Sequence, residues 1–364
     1  MAVEALYLHI PFCRARCAYC DFDTCALDPA AFKLEATRYL AALERRIDEF
    51  GARGMLASVR TVYIGGGTPT VLGERLPGLV RRVRAWCAPE EFTCEANPES
   101  FHEELAGSLA ASGVTRISLG VQSLEDDELS AIGRIHTATV ALEAIELARR
   151  ERFSVSCDLM CGLPGQHAAS WRRTLERALA AHPDHISVYP LTVEAGTPLA
   201  NRVARNPSLL PDEDFQADCM EVARSLCEGA GLAPYEVASY ARSGFACRHN
   251  IAYWTGVPYL GLGRSAATMT QNAERRMRVQ DGRVTDDMDA RGMAAEDLML
   301  GMRMTCGVSD EQVEAAAVLL PDAPAALAEL EGEGLVEHAG GRWRPTDRGW
   351  LCGNELYGRL FDLA

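Results

Sequence analysis

Six short apolar runs recur along the first 240 residues and alternate with amphipathic stretches. The runs are ALYLHI (5–10), TVYIGG (61–66), EFTCEA (91–96), RISLGV (116–121), SVSCDLM (154–160) and HISVYPL (185–191). Between them, segments such as 31–50 place apolar residues three and four positions apart, which is the period of a helix packed on one face. Several runs are almost continuously apolar, as is typical of strands covered on both faces. The pattern predicts βαβ units and a parallel sheet.

Six such units are too few for a closed eight-stranded barrel. We therefore predict an α/β fold: a partial, open (β/α)6 TIM-like barrel over residues 1–240. Polar and glycine-rich segments follow successive strands, namely CRARCAYC, GGGTPT, NPES, QS and CGLPGQ. Because the carboxyl ends of parallel strands meet at one edge of a sheet, we expect the functional site at that edge.

The pattern changes after residue 240. Residues 241–290 are interpreted as an irregular linker segment, and residues 291–364 as a smaller helical, winged-helix-like domain. Its hairpin, LVEHAGGRWRPT, is expected to turn at Gly340 and Gly341. From Ala294 to Ala364 the chain has 13 acidic and 5 basic residues, a net charge of −8, which does not favour a DNA-reading wing.

Charge and composition narrow the class of protein. The whole chain of 364 residues carries a net charge of −15, so we expect no nucleic-acid partner. No apolar run approaches the ~20 residues of a membrane span, and the first residues lack the basic region of a signal peptide. We therefore expect a cytoplasmic protein without an integral membrane segment. Most of the 13 cysteines are expected to be reduced and buried.

One cysteine cluster departs from that expectation. Cys13, Cys17 and Cys20 stand in a CxxxCxxC pattern directly after the first predicted strand. A structural zinc site normally takes four protein ligands, and Cys25 is the candidate for a fourth. Three thiolates fit better to a [4Fe-4S] cluster, in which three irons are held by the protein and the fourth stays open. The spacing favours the cluster, and zinc remains the alternative.

The thiol pattern after a first barrel strand resembles the radical S-adenosylmethionine (SAM) superfamily. There, the open iron chelates SAM, and a reductant supplies the electron that cleaves its C–S bond. The resemblance implies that the glycine-rich segment GGGTP and polar residues at later strand ends hold SAM. These implied SAM contacts are Tyr7, Gly66, Gly67, Thr68, Glu95, Gln122, Arg134 and Asp158.

Further segments resemble the oxygen-independent coproporphyrinogen III oxidase group, among them LYLHIPFCRARCAYCDF, YIGGGTPT, GRIHT, DLMCGLPGQ and HNIAYW. One branch of that group contains the decarboxylating dehydrogenase of porphyrin biosynthesis, and the other contains HemW-like haem chaperones. Phe22 stands where the dehydrogenases have another cysteine, and only twelve residues precede Cys13 where they have a long extension. We therefore expect the chaperone branch.

The HNxxYW motif carries the haem hypothesis. The resemblance implies a haem or porphyrin site at His249, Asn250, Tyr253 and Trp254, with the imidazole as an axial iron ligand. Where chaperones read YLGIGxGAHS, this chain reads YLGLGRSAATM, and Arg264 is a candidate partner for a propionate. The expected partners are haem, an acceptor protein and a reductant. The decarboxylase, a radical SAM enzyme with another substrate, and a purely structural iron–sulfur protein are the alternatives.

Overall fold

A computed structural model describes residues 3–26 and 28–364. Its strands form a twelve-stranded sheet, a three-stranded sheet and a two-stranded pair. In chain order the strands are β1 (Ala5–Ile10), β2 (Phe12–Cys13), β3 (Cys25–Ala26), β4 (Thr61–Gly66), β5 (Glu91–Ala96), β6 (Arg116–Gln122), β7 (Ser154–Cys161), β8 (His185–Pro190), β9 (Ala233–Pro234), β10 (Ser239–Ala241), β11 (Tyr259–Leu262), β12 (Ala267–Gln271), β13 (Arg275–Gln280), β14 (Arg283–Asp289), β15 (Val308–Ser309), β16 (Val336–Ala339) and β17 (Arg342–Pro345).

Helices follow most strands of the large sheet, and others make up the C-terminal module. They are α1 (Pro29–Ala52), α2 (Leu76–Arg84), α3 (Glu103–Ser112), α4 (Asp126–Ala131), α5 (Ala138–Arg150), α6 (Ala168–Ala180), α7 (Pro198–Arg205), α8 (Glu213–Gly229), α9 (Arg248–Trp254), α10 (Ala290–Gly301), α11 (Asp310–Ala317), α12 (Ala323–Gly332), α13 (Asp347–Leu351) and α14 (Gly353–Phe361). Short 3₁₀ segments occur at Pro69–Arg75, Pro98–Ser100 and Pro207–Leu209.

The large sheet contains the predicted partial barrel. Its order is β14-β13-β12-β11-β1-β4-β5-β6-β7-β8-β10-β9, and every pair from β11 to β8 is parallel. The six predicted strands are β1 and β4 to β8, so the α/β prediction is confirmed. Antiparallel strands extend the sheet at both ends. The carboxyl ends of the parallel strands therefore line one open edge, as expected.

Helix caps and apolar stripes explain why the crossover helices form where they do. Asp28 caps α1 by accepting from the backbone N–H groups of Ala30 and Ala31. One face of the helix, including Leu40 and Ile47, is buried in the main hydrophobic core. The strands contribute near-continuous buried runs to the same core, such as residues 5–10. Burial of these stripes fixes the helices against the outside of the sheet.

Residues 241–290 are not the irregular linker that the sequence suggested. They contain α9 and the strands β11 to β14, and β11 adds to the barrel as a seventh parallel strand beside β1. β13 and β14 carry almost no apolar periodicity, since ion pairs such as Arg275–Asp287 and Arg278–Asp286 join them. A polar ladder of this kind leaves no hydrophobic signal in the sequence, which is why the strands were missed.

The C-terminal module has a core of its own. Leu298, Leu327 and Leu356 belong to a second apolar cluster formed by α10, α11, α12, α14 and the small sheet β15-β17-β16. The hairpin of β16 and β17 turns at Gly340 and Gly341, as predicted, and both glycines have positive φ (60° and 73°). No helix in the described part of the chain has the length and apolarity needed to cross a bilayer.

Candidate functional site

A cavity of about 380 Å³ lies at the carboxyl edge of the parallel strands, and the cysteine loop forms one of its walls. Cys13, Cys17 and Cys20 all line it. The loop is held by backbone hydrogen bonds in which Ala18 N–H donates to Ile132 O (2.9 Å) and Leu199 N–H donates to Ala18 O (2.8 Å). The loop is therefore tied to the segments after β6 and β8, on the far side of the barrel.

The three thiols of the cysteine loop face one cavity. A structural zinc site takes four protein ligands, whereas three thiolates would suit a [4Fe-4S] cluster with one open iron. Burial raises the pKa of Cys13 to about 11, which favours a ligand that compensates the charge of the thiolate.

Cys25 does not join this group. Its backbone pairs with the strand that contains Cys13, and its thiol donates to the carbonyl oxygen of Pro11 at 3.4 Å. Its side chain is not part of the cavity wall. The zinc alternative, which needed Cys25 as a fourth ligand, therefore has no support in this geometry.

The glycine-rich segment after β4 lets backbone approach the cysteine loop. Gly67 N–H donates to Ile10 O and Thr68 N–H donates to Phe12 O, both at 2.7 Å. A Cβ atom on Gly67 would lie 2.6 Å from Phe12 O and 3.0 Å from Cys13 Sγ, so only glycine fits there. Gly66 has a φ of 113°, a conformation that also favours glycine. The segment forms a close-packed backbone cradle beside the first thiol.

Two half-buried carboxyl groups, those of Glu95 and Asp158, face the same cavity from β5 and β7. Glu95 accepts from Tyr63 Oη (2.8 Å) and from Gly66 N–H (3.0 Å), and Asp158 accepts from Ser118 Oγ (2.9 Å). Burial raises the pKa of Glu95 to about 7 and that of Asp158 to about 6. Carboxyl groups in this state are suited to bind neutral hydroxyl donors, such as those of a ribose.

Gln122 and Arg134 complete the polar wall. Gln122 has a φ of 66° and ends β6 at a register shift, which turns its side chain toward the cavity. Arg134 Nη1 donates to Cys17 Sγ (3.5 Å), and its Nη2 donates to Asn97 Oδ1 (2.8 Å). All of the implied SAM residues except Tyr7 line the cavity.

Tyr7 lies behind the cavity wall. Its hydroxyl is 3.1 Å from His9 Nδ1, and its ring centroid is 6.2 Å from that of Tyr63. Burial raises its pKa. In this structure Tyr7 supports the wall through its neighbours.

The four implied haem residues lie on α9, at the opposite end of the barrel. His249 is 1% exposed, and its Nδ1 is 3.0 Å from the hydroxyl of Thr61, the first residue of β4. Burial lowers its pKa to about 3, so the imidazole is neutral. Its ring centroid is 5.2 Å from that of Tyr63, whose hydroxyl reaches Glu95 on the cavity side. The imidazole therefore closes the amino end of the barrel.

The rest of the motif packs against protein. The Tyr253 ring stands edge-on to the rings of His249 and Tyr259, at 5.0 and 4.7 Å. Trp254 Nε1 donates to Glu236 Oε2 at 3.1 Å, and the guanidinium of Arg303 lies 5.1 Å from its ring. Asn250 is half-buried on the same helix. None of the four lines the cavity, so the structure does not bring the haem and SAM candidates together.

Sequence reasoning missed several residues of the cavity. Asn97, Ser118 and Tyr189 all line it. Asn97 Nδ2 donates to Thr68 Oγ1 at 2.9 Å. Asn97 belongs to the segment NPES at the end of a predicted strand. The alternation of inward-facing and outward-facing side chains along β6 and β8 is the signal that could have identified Ser118 and Tyr189.

Comparisons with known proteins agree with this geometry. Residues 7–178 match the model of the radical SAM superfamily, and residues 288–352 match that of the HemN C-terminal domain. The chain is 33% identical to the heme chaperone HemW of Bacillus subtilis, over 98% of each chain. It is 36% identical to that of Mycobacterium tuberculosis, over 96% of this chain and 93% of the relative.

A solved structure has the same fold. The coproporphyrinogen III oxidase HemN of Escherichia coli, described as a radical SAM enzyme, superposes with a TM-score of 0.82 at 21% identity, over 99% of this chain and 90% of that one.

Proposed function

The chain belongs to the HemW family of radical SAM proteins, and from that premise we propose that it is a haem chaperone, which binds haem and passes it to an acceptor protein. The observation that carries the proposal is the match to two curated heme chaperones, at 33% and 36% identity, over nearly the whole of this chain. HemN, at 21% identity, supports the fold alone.

The cavity supports the iron–sulfur part of the proposal. Cys13, Cys17 and Cys20 would hold a [4Fe-4S] cluster, which with one open iron would pass an electron from an external reductant to SAM. The chain's own part is to position the cofactor. Thr68 and Gly67 border the first thiol, and Arg134 offers a cation for a carboxylate.

Glu95 and Asp158 would bind the hydroxyl groups of SAM. Both are half-buried, and each already accepts from a fixed donor on a neighbouring strand, so their orientation is set before SAM arrives. Since burial favours their neutral forms, hydrogen bonds to a ribose lower the cost of keeping them in the wall.

His249 remains the proposed ligand for haem iron, assisted by Asn250, Tyr253 and Trp254. Its Nε2 is buried and has no hydrogen-bond partner within residues 3–26 and 28–364, so it is the nitrogen available to a metal. Haem reaches this atom only if α9 moves away from the amino end of the barrel. The chaperone proposal therefore includes an opening of α9 when haem binds.

A haem titration of the anaerobically reconstituted protein tests the proposal. We expect a Soret band that saturates near one haem per chain and is lost in His249→Ala. His338→Ala, which changes a partly exposed histidine of the C-terminal module, is the matched control and should retain the band. Far-UV circular dichroism and iron content establish that both variants are folded.

The decarboxylase is the competing outcome. The reconstituted protein, SAM and a reductant are incubated with coproporphyrinogen III, and the porphyrinogens are separated by chromatography. We expect no conversion to protoporphyrinogen. Turnover of the porphyrinogen without saturable haem binding would overturn the chaperone proposal.

A further inference from the structure

A chain of hydrogen bonds connects two of the cluster thiols through one asparagine. Thr68 Oγ1 donates to Cys13 Sγ (3.6 Å), and Asn97 Nδ2 donates to Thr68 Oγ1 (2.9 Å). On its other side, Asn97 Oδ1 accepts from Arg134 Nη2 (2.8 Å), while Arg134 Nη1 donates to Cys17 Sγ (3.5 Å). Asn97 therefore lies midway between the hydroxyl and guanidinium groups that donate to the two sulfurs.

The backbone leaves room for this chain at one position of β6. A Cβ atom on Gly120 would lie 2.9 Å from both Asn97 Oδ1 and Arg134 Nη2. The carbonyl oxygen of Gly120 also accepts from Arg134 Nη2. The space at Gly120 is thus filled by the asparagine and the guanidinium, and a larger residue would separate them.

We propose that Asn97 is a positioning residue for the iron–sulfur cluster. By holding both Thr68 and Arg134 it keeps their donors on the sulfurs of Cys13 and Cys17, and so sets the reduction potential of the cluster. Asn97 itself touches no ligand sulfur in this arrangement, so its effect passes through its two partners.

The direction of the effect follows from charge. Hydrogen bonds to thiolate sulfurs withdraw electron density from the cluster and stabilise its reduced form, which raises the potential. Without the amide, the Thr68 hydroxyl loses the donor that orients it. Of the oxygen partners that Arg134 has among the described residues, the Gly120 carbonyl remains. Loss of Asn97 should therefore lower the potential.

The test is a redox titration of the reconstituted protein without SAM or haem, followed by electron paramagnetic resonance. In Asn97→Leu we expect iron content to stay at the wild-type level and the reduced-to-oxidised ratio at a fixed potential to fall about tenfold, which corresponds to about 59 mV for a one-electron couple. Ser118→Ala lines the same cavity but contacts Asp158, so it should leave the potential unchanged.

A second variant separates positioning from folding. Thr68→Val removes the donor to Cys13, and if Asn97 acts through Thr68, the shifts of the single variants should not add in the double variant. Asn97→Ser keeps a small polar side chain, and it replaces Asn97→Leu in the redox titration if Asn97→Leu fails to assemble a cluster. A wild-type potential in whichever Asn97 variant assembles, or fully additive shifts, would overturn the proposal. The titration contains no haem, so its result does not depend on whether the protein is a haem chaperone.

Discussion

The two ends of the barrel differ in whether they leave space for a ligand. At the carboxyl end, Cys13 and its neighbours line an open cavity of about 380 Å³. At the amino end, α9 closes the barrel, and His249 is 1% exposed between Tyr63 and Tyr253. The polar residues at the carboxyl end line a cavity that is open to a ligand, whereas His249 at the amino end is enclosed by protein.

The comparison shows that motifs from one family need not share one site. The cysteine loop and HNxxYW are separated by the length of the barrel, with Tyr63 and Glu95 between them. Tyr63 contacts both ends, because its ring packs on His249 and its hydroxyl donates to Glu95. Variants at each end test whether the ends behave as an open site and a closed core.

The largest effect is expected at the open end. Cys17→Ala should lose essentially all cluster iron, because a three-thiolate site with one ligand removed cannot hold a cubane. Iron and sulfide analysis after anaerobic reconstitution measures the loss. Cys25→Ala is the matched control and should keep its iron, since that thiol donates to Pro11 O away from the cavity. Iron retained in Cys17→Ala would refute the ligand assignment.

The second-largest effect is expected at the amino end of the barrel, which α9 closes. His249→Ala should lower the free energy of unfolding of the apoprotein by about 3 to 5 kcal/mol, because it leaves a cavity and removes the partner of Thr61. Denaturant titration measures this change in the free energy of unfolding. His182→Asn, which alters an exposed histidine, is the control, and its free energy of unfolding should stay within about 0.5 kcal/mol of wild type. A change in His249→Ala no larger than in the control would contradict its role as a closed core residue.

The half-buried carboxyl group of Glu95 at the open end predicts that stability depends on pH. Because the pKa of Glu95 rises from 4.5 to about 7 on folding, the folded state binds the extra proton, and stability falls as pH rises through that window. The loss of unfolding free energy between pH 4.5 and 8 should therefore be smaller in Glu95→Gln, by on the order of 3 kcal/mol. Equal losses in wild type and variant, in matched urea titrations, would mean that folding does not raise the pKa of Glu95.

The smallest effect concerns the glycine cradle. Gly67→Ala places a Cβ atom 2.6 Å from Phe12 O, so we expect a destabilisation of about 1 to 3 kcal/mol. Gly78→Ala is the control. Its Cβ meets nothing within 4 Å in α2, and it should stabilise by about 1 kcal/mol through helix propensity. A Gly67→Ala variant as stable as wild type, or more stable, in a denaturant titration would disprove close packing at Gly67.

Sequence patterns predicted the open end far better than the closed one. The six strands, the cysteine loop and Gly67 are local signals, because apolar runs and fixed spacings carry them. The location of His249 depends on β11 joining β1, and β12 to β14 are joined by polar contacts such as Arg278–Asp286. Nothing in HNIAYW itself indicates which end of the barrel it occupies.

Asn97 shows a second limit of what sequence patterns predict about the site. An asparagine after a strand reads equally well as a turn residue, and only the distances to Thr68 and Arg134 single it out.

The central claim is that three thiolates at the open end leave one iron for SAM. Mössbauer spectra of protein reconstituted with isotopically enriched iron, recorded with and without SAM, test it most directly. We expect a cubane in which one iron site changes on adding SAM and the other three do not. A spectrum that SAM leaves unchanged, with all four sites already equivalent, would contradict it.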